Sequence, residues 1–228
     1  MSIYSWIIEN KEIIKIFYAL IVVIICAVIV RITHRLFHLS LHHGIRYFRN
    51  AFLFYGLGFT IRYLIGNFAY MQGIPEFLIK NIFEFFLVMA GFFLVYSLLW
   101  KKVESPTEHS SLFNARIFLF YIMAFIIALL DSLWNTFYFM FFSQIILFTF
   151  ALIVSFRNFR KSDKQKKFFK LYFIAILLSF VSWSLNTVAA FFNWDQRILL
   201  NVYGVNILFF LLLLYTIIRV TRIKKLNN

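Results

Sequence analysis

Arg62, Lys80 and Glu84 are ionisable side chains set inside long apolar runs, where charge is costly and seldom present without a partner or a task. Arg62 and Glu84 each stand 11 residues from Gly73, the centre of a short turn. An antiparallel helical hairpin around that turn would bring them to matched depth as an interhelical ion pair, either a structural lock or the lining of a ligand or ion path. Arg62 shares a helical face with Ala51, Tyr55, Gly58, Gly66 and Ala69, the small-residue stripe expected where helices approach closely. Glu76, Lys80 and Glu84 recur every four residues, and Gly91 continues their face.

A second set is polar but uncharged: Gln144, Ser179, Ser182, Asn186, Asn201 and Asn206. Ser179, Ser182 and Asn186 follow i, i+3, i+7 spacing, so one helix offers a hydrogen-bonding stripe to its neighbours. The expectation is that these groups face one another and serve either as packing contacts or as ligand contacts. Trp183, in the middle of that helix, is the aromatic expected nearest a ligand. The candidate ligand or ion path is therefore Arg62, Lys80, Glu84, Gln144, Trp183, Asn186 and Asn206.

His34, His38 and His42 are spaced by four, and imidazoles so placed can share a metal. Arg31, Arg35, Arg46 and Arg49 flank them and disfavour a divalent cation, so an amphipathic interfacial segment is the expectation. No His-Glu-x-x-His, Gly-x-Ser-x-Gly or paired cysteine occurs, and the five histidines, His109 included, lie at the end of an apolar run or on the connections. Neither an enzyme nor a resident cofactor is expected.

The elements that must hold these residues follow from composition. The chain has 228 residues, 63% hydrophobic, 22% aromatic and 14% charged, against about 45–50% apolar and about 25% charged in soluble domains. A fold of this size cannot hide that surface from water, so an all-α, polytopic integral membrane bundle is expected. Seven runs reach the roughly 20 residues that a spanning helix needs: 13–36, 46–71, 76–100, 112–130, 134–156, 168–192 and 198–220. Together they make a single domain over 1–228. The first is expected to be a retained span rather than a signal peptide, because Arg31, His34 and Arg35 stand where a small-residue cleavage site should lie.

The net charge of +14 would suggest nucleic acid in a soluble chain, but its distribution tells of topology. One set of connections, with the C-terminal tail, holds 17 of the 23 Lys and Arg residues, and the opposite set holds only Arg197. Cytoplasmic loops accumulate basic residues, which implies a cell-membrane protein with its N-terminus outside and its C-terminus in the cytoplasm. Anionic headgroups at the cytoplasmic face are the partners those charges imply, not nucleic acid.

Offsets of 119–124 residues align parts of the first three spans with the last three, suggesting parallel repeats over 12–100 and 134–220 with a linker helix at 112–130. This 3+1+3 layout resembles small seven-helix transporters of the sugar and PQ-loop type and, more loosely, microbial rhodopsins and receptor bundles. No Pro-Gln pair is present, no span contains proline, and no lysine between Arg197 and Lys224 offers a retinal anchor. The short loops also resemble those of seven-helix sensory modules of prokaryotic signalling proteins. Transport usually relies on interrupted helices. The expected function is thus a sensor or interaction module with a polar pocket in the outer half of the bundle and a separate cytoplasmic signalling partner. A small-solute or ion transporter using the same residues is the alternative.

Overall fold

The computed structural model describes residues 10–40, 43–66, 68, 72–103, 115–161, 166–192 and 196–226. They form seven helices: α1 (Lys11–Ser40), α2 (His43–Phe59), α3 (Glu76–Val103), α4 (Ala115–Leu133), α5 (Tyr138–Lys161), α6 (Lys166–Phe191) and α7 (Gln196–Leu226). Among the described residues there is no strand. All helices except α2 contain a stretch long and apolar enough to cross a membrane. The outward faces agree: on α1 alone Ile13, Phe17, Leu20, Ile21, Ile24 and Val28 are exposed, a surface that only hydrocarbon would solvate well. The chain is a multi-pass transmembrane protein.

The helices follow one another around a ring. Each of α1–α2, α2–α3, α5–α6 and α6–α7 packs side by side, α3 packs on α5, and α1 on α7 closes the circle. The fourth helix lies outside it, against α3 and α5. Burial tracks this arrangement, with 61% of the α3 membrane window buried and only 22% of that of α4.

Close approach of α3 to its neighbours rests on glycine. A Cβ on Gly58 would stand 2.9 Å from Leu87 Cδ1, and one on Gly91 would stand 2.9 Å from both Gln144 Oε1 and Leu147 Cδ1. Gln144 uses that space to donate from Nε2 to the Leu87 carbonyl at 3.0 Å, tying α5 to α3.

The second span departs from a uniform helix where Arg62 interrupts its apolar run. Residues Thr60–Ile65 form a π-helical turn, with the Gly66 N–H bonded to the Ile61 carbonyl five residues earlier. Thr60 Oγ1 donates to the Gly56 carbonyl at 2.8 Å at the entrance to this turn. Wider turns of this kind are frequent at functional sites.

Asp131 corrects an expectation. By hydropathy it falls in a connection, but the structure places it inside α4, fully buried. The tight turn that follows carries Asn135 at φ 50°, a left-handed conformation that Asn tolerates. It swings the start of α5 back over the carboxylate. Asp131 Oδ1 accepts from Thr136 Oγ1 and the Phe139 N–H, both at 3.0 Å, and Oδ2 accepts from the Met140 N–H at 2.7 Å. The first N–H groups of a helix have no partner within it and favour negative charge nearby, so Asp131 caps α5 from the preceding helix.

Replacing Asp131 by Ala strands two backbone donors in an apolar setting. The expected loss is about 2 kcal/mol or more, seen as a lower midpoint of thermal unfolding in detergent. Asp131→Asn, which keeps the acceptor oxygen, should lose less. Equal losses for the two variants would show that the carboxylate does not act as a cap.

Candidate functional site

A cavity of about 250 Å³ lies within the ring, and its lining comes from α1, α2 with its π turn, α3, α6, α7 and the start of α5. It sits in the half of the bundle that holds the 72–75 and 134–137 turns, away from the ends that carry Arg31, Arg46 and Arg157. Eleven of the nineteen described lining residues are aromatic, so flat apolar faces dominate. Tyr18 and Tyr203 stack across the α1–α7 seam with ring centroids 4.6 Å apart, and Phe59 meets Tyr18, Phe83 and Phe210 edge-on. Such offset and edge-to-face contacts stabilise ring pairs beyond their area.

The polar part of the lining lies mainly on α6 and α7. Ser182 Oγ donates to Asn206 Oδ1. Asn186 Nδ2 donates to the Ser182 carbonyl at 2.9 Å and to Asn206 Oδ1 at 3.4 Å, and the Tyr18 hydroxyl also faces Asn206. Of the stripe read from i, i+3, i+7 spacing, Ser182 and Asn186 meet Asn206 on the seventh helix, and Ser179 makes no such bond. Trp183 stands in the cavity wall, its ring edge-on to Phe141 at 6.2 Å and stacked toward Phe148 at 6.4 Å.

Arg62 lines the cavity as well, held there by the π turn. Its expected pairing with Glu84 needs correction. Arg62 Nη2 reaches Glu76 Oε1 at 3.6 Å, whereas Glu84 Oε1 lies 3.9 Å from Lys80 Nζ on the same helix. Neither Glu84 oxygen accepts a hydrogen bond, and Arg62 acts on Glu84 only through the longer-range field. Counting residues from Gly73 assumes an even rise on both arms. The π turn packs more residues into a turn and redirects every side chain beyond it, which brings Arg62 to Glu76, two helical turns nearer the hairpin than Glu84.

Lys80, Glu84 and Gln144 thus stand apart from the cavity. Lys80 Nζ sits 4.3 Å from the Phe137 ring centroid, a cation–π contact, and 3.5 Å from the Asp131 carbonyl, joining α3 to the α4–α5 turn. Arg62, Trp183, Asn186 and Asn206 are the candidate residues that the fold brings together. Sequence reasoning did not single out Tyr18, Phe141, Tyr203 or Phe210 for the lining. Periodicity was available in Tyr55, Phe59 and Arg62 and in Tyr203, Asn206 and Phe210, but with 33 Phe and 12 Tyr in the chain such spacing does not discriminate.

His34 Nδ1 lies 2.8 Å from Arg49 Nη1, linking α1 to α2 at the basic end. The side chains of His38 and Asn201, and His42 itself, lie outside the described residues. Among the described residues no three His, Cys, Asp or Glu side chains gather as a metal site.

No protein-family model matches the chain, and no solved structure does. The chain is similar to an uncharacterized protein of Archaeoglobus fulgidus, 26% identical over 217 residues that cover 89% of this chain and 90% of the relative. The similarity extends over most of the bundle.

The two ion pairs should behave differently. Lys80→Met leaves the buried Glu84 carboxylate without its counter-charge, at an expected cost of about 3 kcal/mol, and adding Glu84→Leu should restore much of it. Arg62→Ala and Glu76→Ala should couple by less than about 1 kcal/mol, because Glu76 is mostly solvent-exposed. Double-mutant cycles on thermal unfolding measure both quantities. Stronger coupling of Arg62 to Glu84 than of Lys80 to Glu84 would overturn the assignment.

Proposed function

We propose that the protein is a sensor of the cell membrane: a ligand-binding bundle, not an enzyme, whose cavity occupancy is read by a separate cytoplasmic partner. In this reading the N-terminus and the cavity face outward, and the basic helix ends face the cytoplasm and its anionic headgroups. The observation that carries it is a cavity confined to one half of the ring. Toward the basic end the interior is filled by fully buried side chains such as Phe52, Phe93, Phe148 and Leu213. A recess there, at Gly91 and Leu147, has no room for a water. A site open to one half and sealed by packed rings suits binding and release on the same side.

Helix α2 offers the route between the two ends. It contributes Tyr55, Phe59 and, through the π turn, Arg62 to the cavity. Its other end carries Arg49, which contacts His34 on α1 and Asn50 Oδ1. A ligand that prefers one winding of the π turn would rotate or shift α2, and differential affinity for two such states is what a ligand needs to move an equilibrium.

The same π turn favours a second reading, a small-solute transporter, because it supplies the helix interruption that the proline-free spans otherwise lack. An uptake screen in reconstituted liposomes separates the two. The sensor reading expects no solute flux above protein-free vesicles; substrate-dependent flux abolished by Arg62→Ala would replace it with transport.

Orientation is checked by single cysteines on a Cys26→Ser background, Cys26 being buried. Ile74→Cys should react with a membrane-impermeant maleimide applied to intact cells, and His109→Cys and Lys164→Cys should not. The reverse pattern would invert the topology.

A further inference from the structure

The cavity contains two hydroxyls that the fold leaves unused. A hydroxyl on a spanning helix has the carbonyl one turn earlier within reach, and Thr33, Thr60, Thr149, Ser184, Thr187 and Thr216 all bond to it, at 2.6–2.9 Å. Ser179 does not. It is fully buried, lines the cavity, and its Oγ has no hydrogen-bond partner. Tyr55, on the facing helix α2, is 1% exposed and lines the same cavity. Its hydroxyl is turned to the Trp183 indole, but at a geometry too poor for a regular hydrogen bond. Leaving such groups unmade in a buried setting costs free energy, so two in one cavity point to a partner supplied from outside the chain.

Charge narrows the partner. Among the described lining residues Arg62 is the one charged side chain, and it is engaged by Glu76. Among the described lining residues there is no carboxylate, so a cationic ligand would meet aromatic faces but no counter-charge from them, while an anion would have to compete with Glu76. The walls are flat rings, and about 250 Å³ is roughly the liquid volume of eight waters, room for one or two fused rings rather than a sugar chain or a peptide.

We infer that the cavity takes a neutral, planar, largely apolar molecule of one or two rings bearing a hydrogen-bonding oxygen, which lies between the aromatic walls and turns its oxygen toward Tyr55 and Ser179. This rests on the reading of the cavity as a receptor site. Shape and apolar contact set the position of the rings, and the two hydroxyls select for the oxygen, since a site with buried polar groups rejects an analogue that leaves them unpaired.

The test uses the full chain in lipid nanodiscs and four probes of one shape: 1-naphthol, naphthalene, 1-naphthoate and 1-naphthylmethylammonium. Binding is measured calorimetrically against protein-free nanodiscs. Expected is saturable binding of 1-naphthol, weakened about tenfold in the Tyr55→Phe/Ser179→Ala double variant, with naphthalene affinity alike in both proteins. The double variant removes only unpartnered hydroxyls, so without ligand it should unfold no earlier than the wild type. Ala190→Phe, which fills the cavity, should abolish binding of 1-naphthol. Tighter binding of either charged probe overturns the ligand class and leaves the receptor reading standing. An unchanged 1-naphthol affinity in the double variant, binding that survives Ala190→Phe, or no saturable binding at all also overturns the ligand class. The receptor reading itself falls on a separate result, solute flux in liposomes.

Discussion

In hydrocarbon, a backbone amide or a buried side-chain oxygen finds a partner within the protein or goes without, and that scarcity of partners organises the whole chain. It makes each apolar run a helix, because a helix satisfies its own amides. It sends threonine and serine hydroxyls back to the carbonyl of the preceding turn, as at Thr33 and Thr216. At the α4–α5 turn, where helix ends expose free amides, one carboxylate answers three donors: Asp131 bonds Thr136, Phe139 and Met140. Gln144 does similar work deeper in the bundle, crossing to the Leu87 carbonyl through the gap that Gly91 leaves.

Buried atoms of Asn50, Asn81, Gln144 and Ser155 go without a partner inside the packed bundle, and two further exceptions stand beside a charge or a cavity. Glu84 keeps both oxygens without hydrogen bonds, balanced by Lys80 at 3.9 Å, and belongs to the structural wedge between α3 and the α4–α5 turn. Ser179 and Tyr55 are unpartnered beside open volume. The first case is one of charge compensation inside packed protein, where removal of one partner is costly and replacement of both is cheap. The second is a cavity whose chemistry is incomplete. Aromatic abundance has a part in each: Phe137 covers Lys80, and rings from six helices and the α4–α5 turn wall the cavity.

The layout was largely legible in the chain itself. Run lengths near 20 apolar residues announce seven helices, and basic and nearly charge-free connections alternate between them. The stripe of Ser182 and Asn186 meets Asn206 because residues three, four and seven apart share a helix face whatever the surroundings. Arg62 and Glu84 fail as a pair for a reason that spacing does not reveal. Whether a span winds as α or π is not encoded in residue spacing, and one wider turn, here Thr60–Ile65, reorients every side chain after it.

The primary structure, then, dictates the number, order and length of the helices and which residues are costly to bury, because those depend on local backbone pairing and transfer of side chains from water. Which costly residues meet is a matter of the three-dimensional packing. Asp131 moves from an apparent connection to a buried cap because the left-handed turn at Asn135 folds α5 back onto it. Lys80, Glu84 and Gln144 go to the packed interior and Arg62, Trp183, Asn186 and Asn206 to the cavity because helix rotation, π winding and glycine contacts set the direction of each side chain. Those are non-local quantities, fixed by neighbours far away in the sequence, and in a chain so rich in phenylalanine no periodicity distinguishes a cavity wall from a core or a lipid-facing surface.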